Sequence, residues 1–379
     1  MTEFEYRKSI ADVIYLCACA VNGCAPEQTR LNDINLDNLF KASQKHMLTA
    51  MIGQFLQKQG ISSAKLKNAI ALAQRKTVIL NNDLTNVTTA LEKNGIWYMP
   101  LKGAVLRSFY PQFAMREMAD IDILFDASRA ADVKTIMEGL GFQAKSYGYS
   151  NDDDYTKSPV SNFEMHKALF GDQHDKKLFE YYKNVKSRLV KDEGNDYGYH
   201  FAPEDFYIFM IAHEYKHYNS SGTGLRSLLD TYVFLRTFNL DMDYVTAEMG
   251  QLGIAEYEQQ NRSLTLDLFS GKKLTSDERE MLDYIIDSGM FGTMEHGIKN
   301  RLQKSGSGKL YYLLRRRIFG PGKNDVDREH FKRRYATFFN HPILLPFLPF
   351  YRLFKALKTN PKRIRSEANA LRKAGKATR

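Results

Sequence analysis

Apolar residues recur every three to four positions through the first quarter of the chain, which is the spacing of one face of an α-helix. The longest such stripe runs over residues 66, 70, 73, 80, 84, 87 and 91. It stops at Asn94-Gly95, where glycine permits the left-handed turn that closes a helix. The pattern predicts three helical stretches: Tyr6–Ala20, Asn32–Lys58 with a break near His46, and Ser62–Lys93.

Shorter apolar runs of strand length follow these helices. They predict strands at Ile96–Leu101, Ala119–Phe125, Phe142–Tyr147 and Val160–Phe170, with helices at Ala104–Tyr110 and Ala127–Gly139 between them. We interpret Asp152-Asp153-Asp154 as a solvated loop, because runs of like charge are usually exposed. Helical spacing returns at Asp205–Tyr218, Leu225–Thr237, Ala255–Leu268, Ser276–Ser288 and Leu310–Ile318. The prediction is an α+β fold in which a small mixed sheet of about four to five strands is embedded in a mostly helical protein.

Composition divides the chain further. Residues 301–340 contain eleven Lys/Arg and three Asp/Glu, and residues 341–379 contain ten Lys/Arg and one Glu. The whole chain has a net charge of +10, so residues 1–300 carry −7. We predict four regions: an N-terminal helical region (1–93), a core with the sheet (94–203), a C-terminal helical region (204–310) and a basic, aromatic arm (311–379).

Two carboxylates lie on one face of the second predicted strand. Asp120 and Asp122 are two residues apart and alternate with apolar Ile121 and Ile123, so they project from the same side of the sheet. Their mutual repulsion is relieved by a cation, most simply Mg²⁺ with its preference for oxygen ligands. On the last predicted strand, Glu164 and His166 share a face in the same way.

These residues resemble the DNA-polymerase-β-like nucleotidyltransferase superfamily, and within it the bacterial family of uncharacterised nucleotidyltransferases. The resemblance is carried by Leu101-Lys102-Gly103, the short helix Ala104–Tyr110, Arg116 and the Asp120–Asp122 pair, and it covers roughly Leu48–Leu240. Ala104 departs from the pattern, which prefers a hydroxyl residue or a second glycine there. A strand, a glycine and a helix N-terminus also form an anion site on general grounds.

The resemblance implies transfer of a nucleoside monophosphate from a nucleoside triphosphate to an acceptor, with release of pyrophosphate. Asp120, Asp122 and Glu164 would be the catalytic residues and would hold Mg²⁺ or Mn²⁺. The nucleotide would contact Lys102, Gly103, Ala104, Arg116 and His166, although Arg116 could equally pair with an acidic neighbour. The acceptor stays open between a sugar, another small molecule, a protein and an RNA.

Other functions compete with this one. The chain could be an RNA-directed transferase of the toxin type that modifies tRNA ends, or a non-catalytic protein that binds nucleotide or nucleic acid. His213-Glu214-Tyr215-Lys216-His217 matches the H-E-x-x-H motif of zinc hydrolases, but neither Glu nor His occurs from Tyr218 to Ala247 to supply a third ligand. We expect a packed or substrate-contacting histidine pair there, with Arg226 and Asp230 paired one turn apart.

The basic arm has three interpretations. It could contact anionic lipid headgroups, bind nucleic acid, or contribute its apolar half to a core; we favour a core for residues 311–350 and leave the first two open for 351–379.

Cys17, Cys19 and Cys24 are too few for a disulfide framework, and no apolar run is long enough to span a membrane. We therefore expect a cytoplasmic protein, with a peripheral position at the membrane as the alternative.

Overall fold

The computed structural model describes residues 1–171, 176–220, 222–290, 331–332 and 334–359, with side chains described as far as Lys355. The chain divides into two compact units. One contains residues 1–215 and 224–290, and the other contains residues 216–223 and 291–379. The first unit is mostly helical and includes a five-stranded mixed sheet, so the α+β prediction is confirmed.

Five helices precede the sheet. They are α1 (Glu3–Asn22), α2 (Gln28–Asn32), α3 (Leu36–Lys45), α4 (Thr49–Lys58) and α5 (Ala64–Lys93). The predicted break near His46 separates α3 from α4. His46 is buried there, and its Nδ1 accepts a hydrogen bond from the amide of Leu225. Cys17 and Cys19 are buried in α1 while Cys24 is exposed, and all three are free thiols.

The sheet has the spatial order β1-β2-β5-β4-β3. Its strands are β1 (Tyr98–Pro100), β2 (Ile121–Phe125), β3 (Gln143–Ser146), β4 (Asp152–Lys157) and β5 (Ser161–His166). β2 and β5 are parallel, whereas the other neighbouring pairs are antiparallel. α6 (Gly103–Leu106) and a 3₁₀ turn (Arg107–Phe109) connect β1 to β2, and α7 (Ala130–Gly139) connects β2 to β3.

One face of the sheet packs against the long helix α5. Ile121, Ile123, Phe163 and Met165 from the central strands form a buried cluster with Leu80, Val87 and Leu91 of α5. The C-terminal part of the apolar stripe that predicts α5 therefore meets the sheet, whereas Leu66 and Ile70 lie against Gly53 of α4. The opposite face carries Asp122 and Glu164, so the core fixes which side chains are left for chemistry.

Our interpretation of residues 152–154 as a loop was wrong, because they begin strand β4. β4 pairs antiparallel with β5 along its whole length. Asp153 is 1% exposed and ion-pairs with Lys167 at 2.9 Å, while Tyr155 is fully buried in the core cluster. The partly exposed ammonium of Lys167 offsets part of the cost of placing an aspartate in the interior.

A second group of elements follows the sheet. It consists of α8 (Lys176–Tyr182), the two-stranded ribbon β6 (Leu189–Lys191) and β7 (Tyr199–Phe201), α9 (Pro203–Ser220), α10 (Leu225–Thr237), α11 (Met242–Leu252), α12 (Ala255–Ser270) and α13 (Ser276–Ser288). The predicted helices starting at Asp205, Leu225, Ala255 and Ser276 match α9, α10, α12 and α13 closely. The patterns in the sequence did not predict α8, α11 or the ribbon.

The second unit is described mainly at residues 331–359. It contains α14 (Ala336–Asn340), a 3₁₀ helix (Pro342–Phe347) and α15 (Leu348–Thr359). Within the described part of the chain, no helix is both long enough and apolar enough to cross a membrane. The predicted helix Leu310–Ile318 lies outside the described residues, and the four-region division of the chain stays a prediction.

Candidate active site

Two carboxylates lie side by side on the central parallel strands. Asp122 of β2 and Glu164 of β5 are Cα partners in the register of that pair. Paired residues on adjacent strands project from the same face, so both side chains emerge together on the side away from α5. Asp122 is 4% exposed, and the Glu164 side chain is 27% exposed. The structure thus brings Glu164 beside the aspartate strand, on the face that the alternation predicted.

His166 completes a compact group with these two carboxylates. One ligand atom from each of Asp122, Glu164 and His166 lies within 4.8 Å of the others, and no other group of three metal-ligating side chains occurs in the described residues. His166 Nε2 is 2.9 Å from Asp122 Oδ1 and 3.7 Å from Glu164 Oε2. Asp120 precedes β2 by one residue and lies outside this group.

Lys102 supplies a positive charge to the same group. Its ammonium Nζ donates to Asp122 Oδ1 at 2.7 Å. Burial opposes protonation of this amine, but the charge and hydrogen bond of Asp122, together with the charges of Glu164 and Asp120, raise the pKa of Lys102. Burial likewise opposes ionisation of Asp122, yet Lys102 and His166 together bring the pKa of Asp122 well below its usual range. Asp122 is therefore a stable carboxylate anion.

The other carboxyl groups at the site are harder to ionise than Asp122. Burial, followed by the charges of Asp122 and Asp120, raises the pKa of Glu164 to about 8. Burial and the Asp122 charge also raise the pKa of Asp120. Carboxyl groups that resist ionisation beside an anion are in an environment that a further cation would stabilise.

Lys102 is held by an unusual turn after β1. Its φ of 44° is rare for a residue with a side chain. The amide of Leu101 donates to the carbonyl of Asp122, which ties the turn to β2, and the carbonyl of Lys102 accepts from the amides of Val105 and Leu106. The backbone thus aims the lysine side chain at Asp122 instead of continuing the strand.

The helix after this turn is shorter than the sequence predicts. The predicted helix Ala104–Tyr110 is a four-residue helix, α6, followed by a 3₁₀ turn. The amide of Ala104 donates to the carbonyl of Leu101, so that amide is already used within the turn. A helix of one turn also has a much smaller dipole than the predicted one. These contacts weaken the expectation that Ala104 binds phosphate.

Gly103 makes room for Arg116. A Cβ atom at position 103 would overlap the guanidinium Nη1 of Arg116. Arg116 is 6% exposed and makes a two-pronged ion pair with Asp230 of α10, at 2.7 and 2.8 Å. The hydroxyl of Tyr110 donates to the same carboxylate at 2.7 Å. Of the two uses that the sequence left open for Arg116, the structure contains the pairing with an acidic residue.

Asp230 therefore pairs with a distant arginine and not with Arg226, its predicted partner one turn away. Arg226 instead donates to the backbone carbonyl of Glu117 at 2.6 Å. The Glu117 carboxylate accepts from the amide of Ala50 near the start of α4, at 2.7 Å. The connection from β1 to β2 is thereby attached both to α10 and to α4, which fixes the approach of the chain to Asp120 and Asp122.

Two acidic residues on this face were not predicted as part of the site. In the β4–β5 register, Asp154 is opposite Glu164 and Asp152 is opposite His166. Both are half-buried, whereas Asp153 and Tyr155 between and after them are buried on the other side. Burial, followed by the charge of Asp152, raises the pKa of Asp154. A strand could have been predicted here, because Asp152 and Asp154 alternate with the buried residues Asp153 and Tyr155. The run of three aspartates concealed this alternation.

The H-E-x-x-H motif does not assemble a metal cluster in the described residues. Glu214 is 5% exposed and accepts a hydrogen bond from Asn261 Nδ2 at 3.1 Å. Burial raises its pKa to about 8. The ring of His213 packs near Phe209, with centroids 6.1 Å apart. The motif is thus built into helix packing around α9, and the structure gives no support to a zinc hydrolase.

Comparison with known families agrees with this geometry. A family model described as "Uncharacterised nucleotidyltransferase" matches residues 32–270, well over half of the chain. The chain belongs to this family of nucleotidyltransferases. No curated protein and no solved structure matches the chain.

The residues matched by the nucleotidyltransferase family model include every residue of the site described above. The match begins before α3 and ends at the last residue of α12, so it extends beyond the Leu48–Leu240 span of the expected resemblance on both sides. It includes Lys102, Asp122, Glu164 and His166, together with the Arg116–Asp230 ion pair. It does not include the second unit's helices α14 and α15.

Proposed function

We propose that this nucleotidyltransferase moves a nucleoside monophosphate from a nucleoside triphosphate to an acceptor, with the help of a divalent cation and with release of pyrophosphate. The observation that carries the proposal is the register pairing of Asp122 with Glu164 on the face of the sheet away from α5, beside Lys102. Family membership supports the reaction class.

The residues present fit a hard divalent cation. Asp122 and Glu164 offer carboxylate oxygens, the ligand type that Mg²⁺ and Mn²⁺ prefer, and the raised pKa of Glu164 marks a site where positive charge is lacking. Asp120, whose charge acts on Glu164, is a further oxygen ligand within the proposal. When bound, the cation would neutralise phosphate charge as it develops during the displacement.

The chain's own groups have separate roles in this proposal. Lys102 attracts the triphosphate with its fixed positive charge. Arg116 acts as a positioning residue, because its guanidinium is committed to Asp230 and is almost completely buried. Glu164 contributes a carboxylate oxygen to the cation, whose charge favours the ionised form of this side chain.

We assign His166 to orienting Asp122 instead of ligating the cation. A histidine that ligates a metal nearly always donates its other ring N–H to a hydrogen-bond acceptor. Nδ1 of His166 is buried and has no such partner in the described residues. With the proton on Nε2, however, the ring donates to Asp122 Oδ1 and leaves only a lone pair buried at Nδ1.

Whether His166 ligates the cation is tested with Mn²⁺ bound to the full-length protein. Electron spin echo envelope modulation should show no directly bonded nitrogen, and His166→Gln should keep Mn²⁺ affinity because glutamine can donate from a similar position. His166→Ala should weaken Mn²⁺ binding about tenfold or more. A nitrogen coupling typical of a ligating imidazole would assign His166 to the metal instead.

The reaction is tested by label transfer. The full-length protein is incubated with each α-labelled nucleoside triphosphate, Mg²⁺ or Mn²⁺, and a bacterial lysate as the source of acceptor. We expect labelled product and pyrophosphate from the wild type, and a loss on the order of 100-fold or more for Asp122→Asn. Asp196→Asn is the matched control, because Asp196 is an exposed aspartate that pairs with Lys191. Equal label transfer by wild type and Asp122→Asn, or none by the wild type, would refute the proposal.

A further inference from the structure

Exposed apolar side chains are concentrated in the second unit. Of eighteen large apolar residues exposed in the described part of the chain, seven fall between positions 343 and 354. They are Ile343 (85% exposed), Leu344 (37%), Phe347 (61%), Phe350 (73%), Tyr351 (42%), Leu353 (40%) and Phe354 (68%). Sequence analysis favoured a core for residues 311–350, and for most of residues 342–350 that prediction was wrong.

The exposed residues belong to a folded segment and have a regular arrangement. Phe350 and Phe354 are one turn apart on α15, and Phe347 directly precedes this helix, three residues before Phe350. Leu348 is only 5% exposed, so the helix has an inner and an outer side. Tyr351, although 42% exposed, also packs against Phe338, and their ring centroids are 5.1 Å apart. The apolar side chains are therefore presented outward by a packed scaffold.

Positive charge surrounds this surface. Residues 331–359 contain no Asp or Glu in the sequence. Among the described cations, Arg334 and Lys355 are exposed, and Arg352 lies over the ring of Phe331 at 4.6 Å. Beyond position 359 the sequence is again basic, with Glu367 as its one acidic residue. A complementary partner must combine negative charge with an apolar phase.

An anionic bilayer has both properties. Nucleic acid would supply the negative charge, but Ile343, Leu344 and Leu353 are aliphatic and offer bases no stacking surface. A second copy of the chain would bring the same positive charge to the interface. At twelve residues, α15 is about 18 Å long, which suits a helix lying in the headgroup region and is too short to span the hydrocarbon core.

We propose that residues 342–355 form a docking surface for a membrane that contains anionic lipid. Phe347, Phe350 and Phe354 enter the boundary between headgroups and acyl chains, while Arg334 and Lys355 remain at the level of the headgroups. The inference is independent of nucleotidyl transfer, because it rests on the second unit alone.

The test is co-sedimentation of the full-length protein with vesicles of phosphatidylcholine, with and without phosphatidylserine. We expect binding to the anionic vesicles and about tenfold or more weaker partitioning for the double variant Phe350→Ser with Phe354→Ser. The matched control makes the same change at two exposed phenylalanines of the first unit, Phe4 (80% exposed) and Phe113 (52%), and should bind like the wild type. Arg334→Gln with Lys355→Gln should lower the dependence on phosphatidylserine.

Several results would overturn the proposal. These are no binding to anionic vesicles, equal binding of the wild type and the Phe350/Phe354 variant, or binding that does not change with phosphatidylserine. Tight binding of single-stranded RNA that is lost in the Phe350/Phe354 variant, without vesicle binding, would assign the surface to nucleic acid. A dimer that this variant converts to a monomer, again without vesicle binding, would assign it to self-association.

Discussion

The neighbours of a residue explain its identity at several positions of this protein. Gly103 is one example, because the guanidinium of Arg116 occupies the space where a Cβ would lie. Glu214 is another, because its charge is suppressed by burial within the helices that surround it. In both cases the residue type looked like a catalytic signal in the sequence, and the structure gives it a packing explanation. A packing role at these two positions predicts effects of substitution on stability, which a purely catalytic role does not.

Replacing Gly103 by alanine should destabilise the protein by about 1–3 kcal/mol, because the new Cβ displaces a buried, ion-paired guanidinium. The measurement is urea-induced unfolding of the full-length protein. Gly139→Ala is the control, since an added Cβ meets no atom within 4 Å at that position near the end of α7. Equal stability of Gly103→Ala and the wild type would contradict the packing explanation.

Glu214 should make stability depend on pH. Its pKa is raised to about 8 in the folded protein, so the folded state keeps a proton that the unfolded chain loses near its ordinary pKa of 4.5. Its favourable contribution is therefore complete below about 4.5 and falls away as the pH rises through about 8, with a slope of at most about 1.4 kcal/mol per pH unit.

Glu214→Gln should remove this part of the pH dependence, because glutamine stays neutral and its oxygen can still accept from Asn261. Unfolding free energies measured at pH 5.5 and pH 8 should differ less for the variant than for the wild type. An unchanged difference would show that Glu214 is ionised in the folded protein at both pH values.

At the scale of elements, one buried ion pair attaches the turn region to the helices. Arg116 follows the 3₁₀ turn before β2, and Asp230 lies in α10, 114 residues later. The carboxylate also accepts from Tyr110, so three hydrogen bonds converge on Asp230. This contact places the entry to β2, and with it Asp122, relative to a separate helix.

Removing the charge of Asp230 should be costly, because the Arg116 guanidinium would remain buried without a counter-ion. Asp230→Asn should lower the free energy of unfolding by about 3 kcal/mol or more, measured by urea denaturation. Asp132→Asn removes an exposed ion pair with Arg129 in α7 and should change stability by about 0.5 kcal/mol or less. Similar effects of the two substitutions would contradict a structural role for the Arg116 pair.

Local patterns predicted the elements better than their long-range partners. Three features could be predicted because each depends on spacing within a few residues. They are the apolar stripe of α5, the strand that carries Asp122 and the alternation of polar and apolar residues around Glu164. β4 was missed because its pairing with β5 stabilises a segment whose charges favour a loop. The partner of Asp230 was predicted one turn away at Arg226, since no local signal points to an arginine 114 residues earlier.

The chain as a whole combines a negatively charged part, which contains the candidate active site, with a positively charged C-terminal part. The family match ends at residue 270, and the charge of the sequence changes sign after residue 300, from −7 before it to +17 after it. A negatively charged body is repelled by anionic lipid, so adsorption to a membrane has to come from the basic part. The proposed transfer reaction and the proposed membrane contact are thus carried by separate parts of the sequence.

The most direct test of the account is Mn²⁺ binding, followed by electron paramagnetic resonance of the full-length protein. We predict that the wild type binds Mn²⁺, that Mg²⁺ competes with it, and that Glu164→Gln lowers the affinity about tenfold or more, while the exposed control Asp196→Asn binds like the wild type. Undiminished Mn²⁺ binding by Glu164→Gln, or no binding by the wild type, would contradict the claim that Asp122 and Glu164 hold a cation.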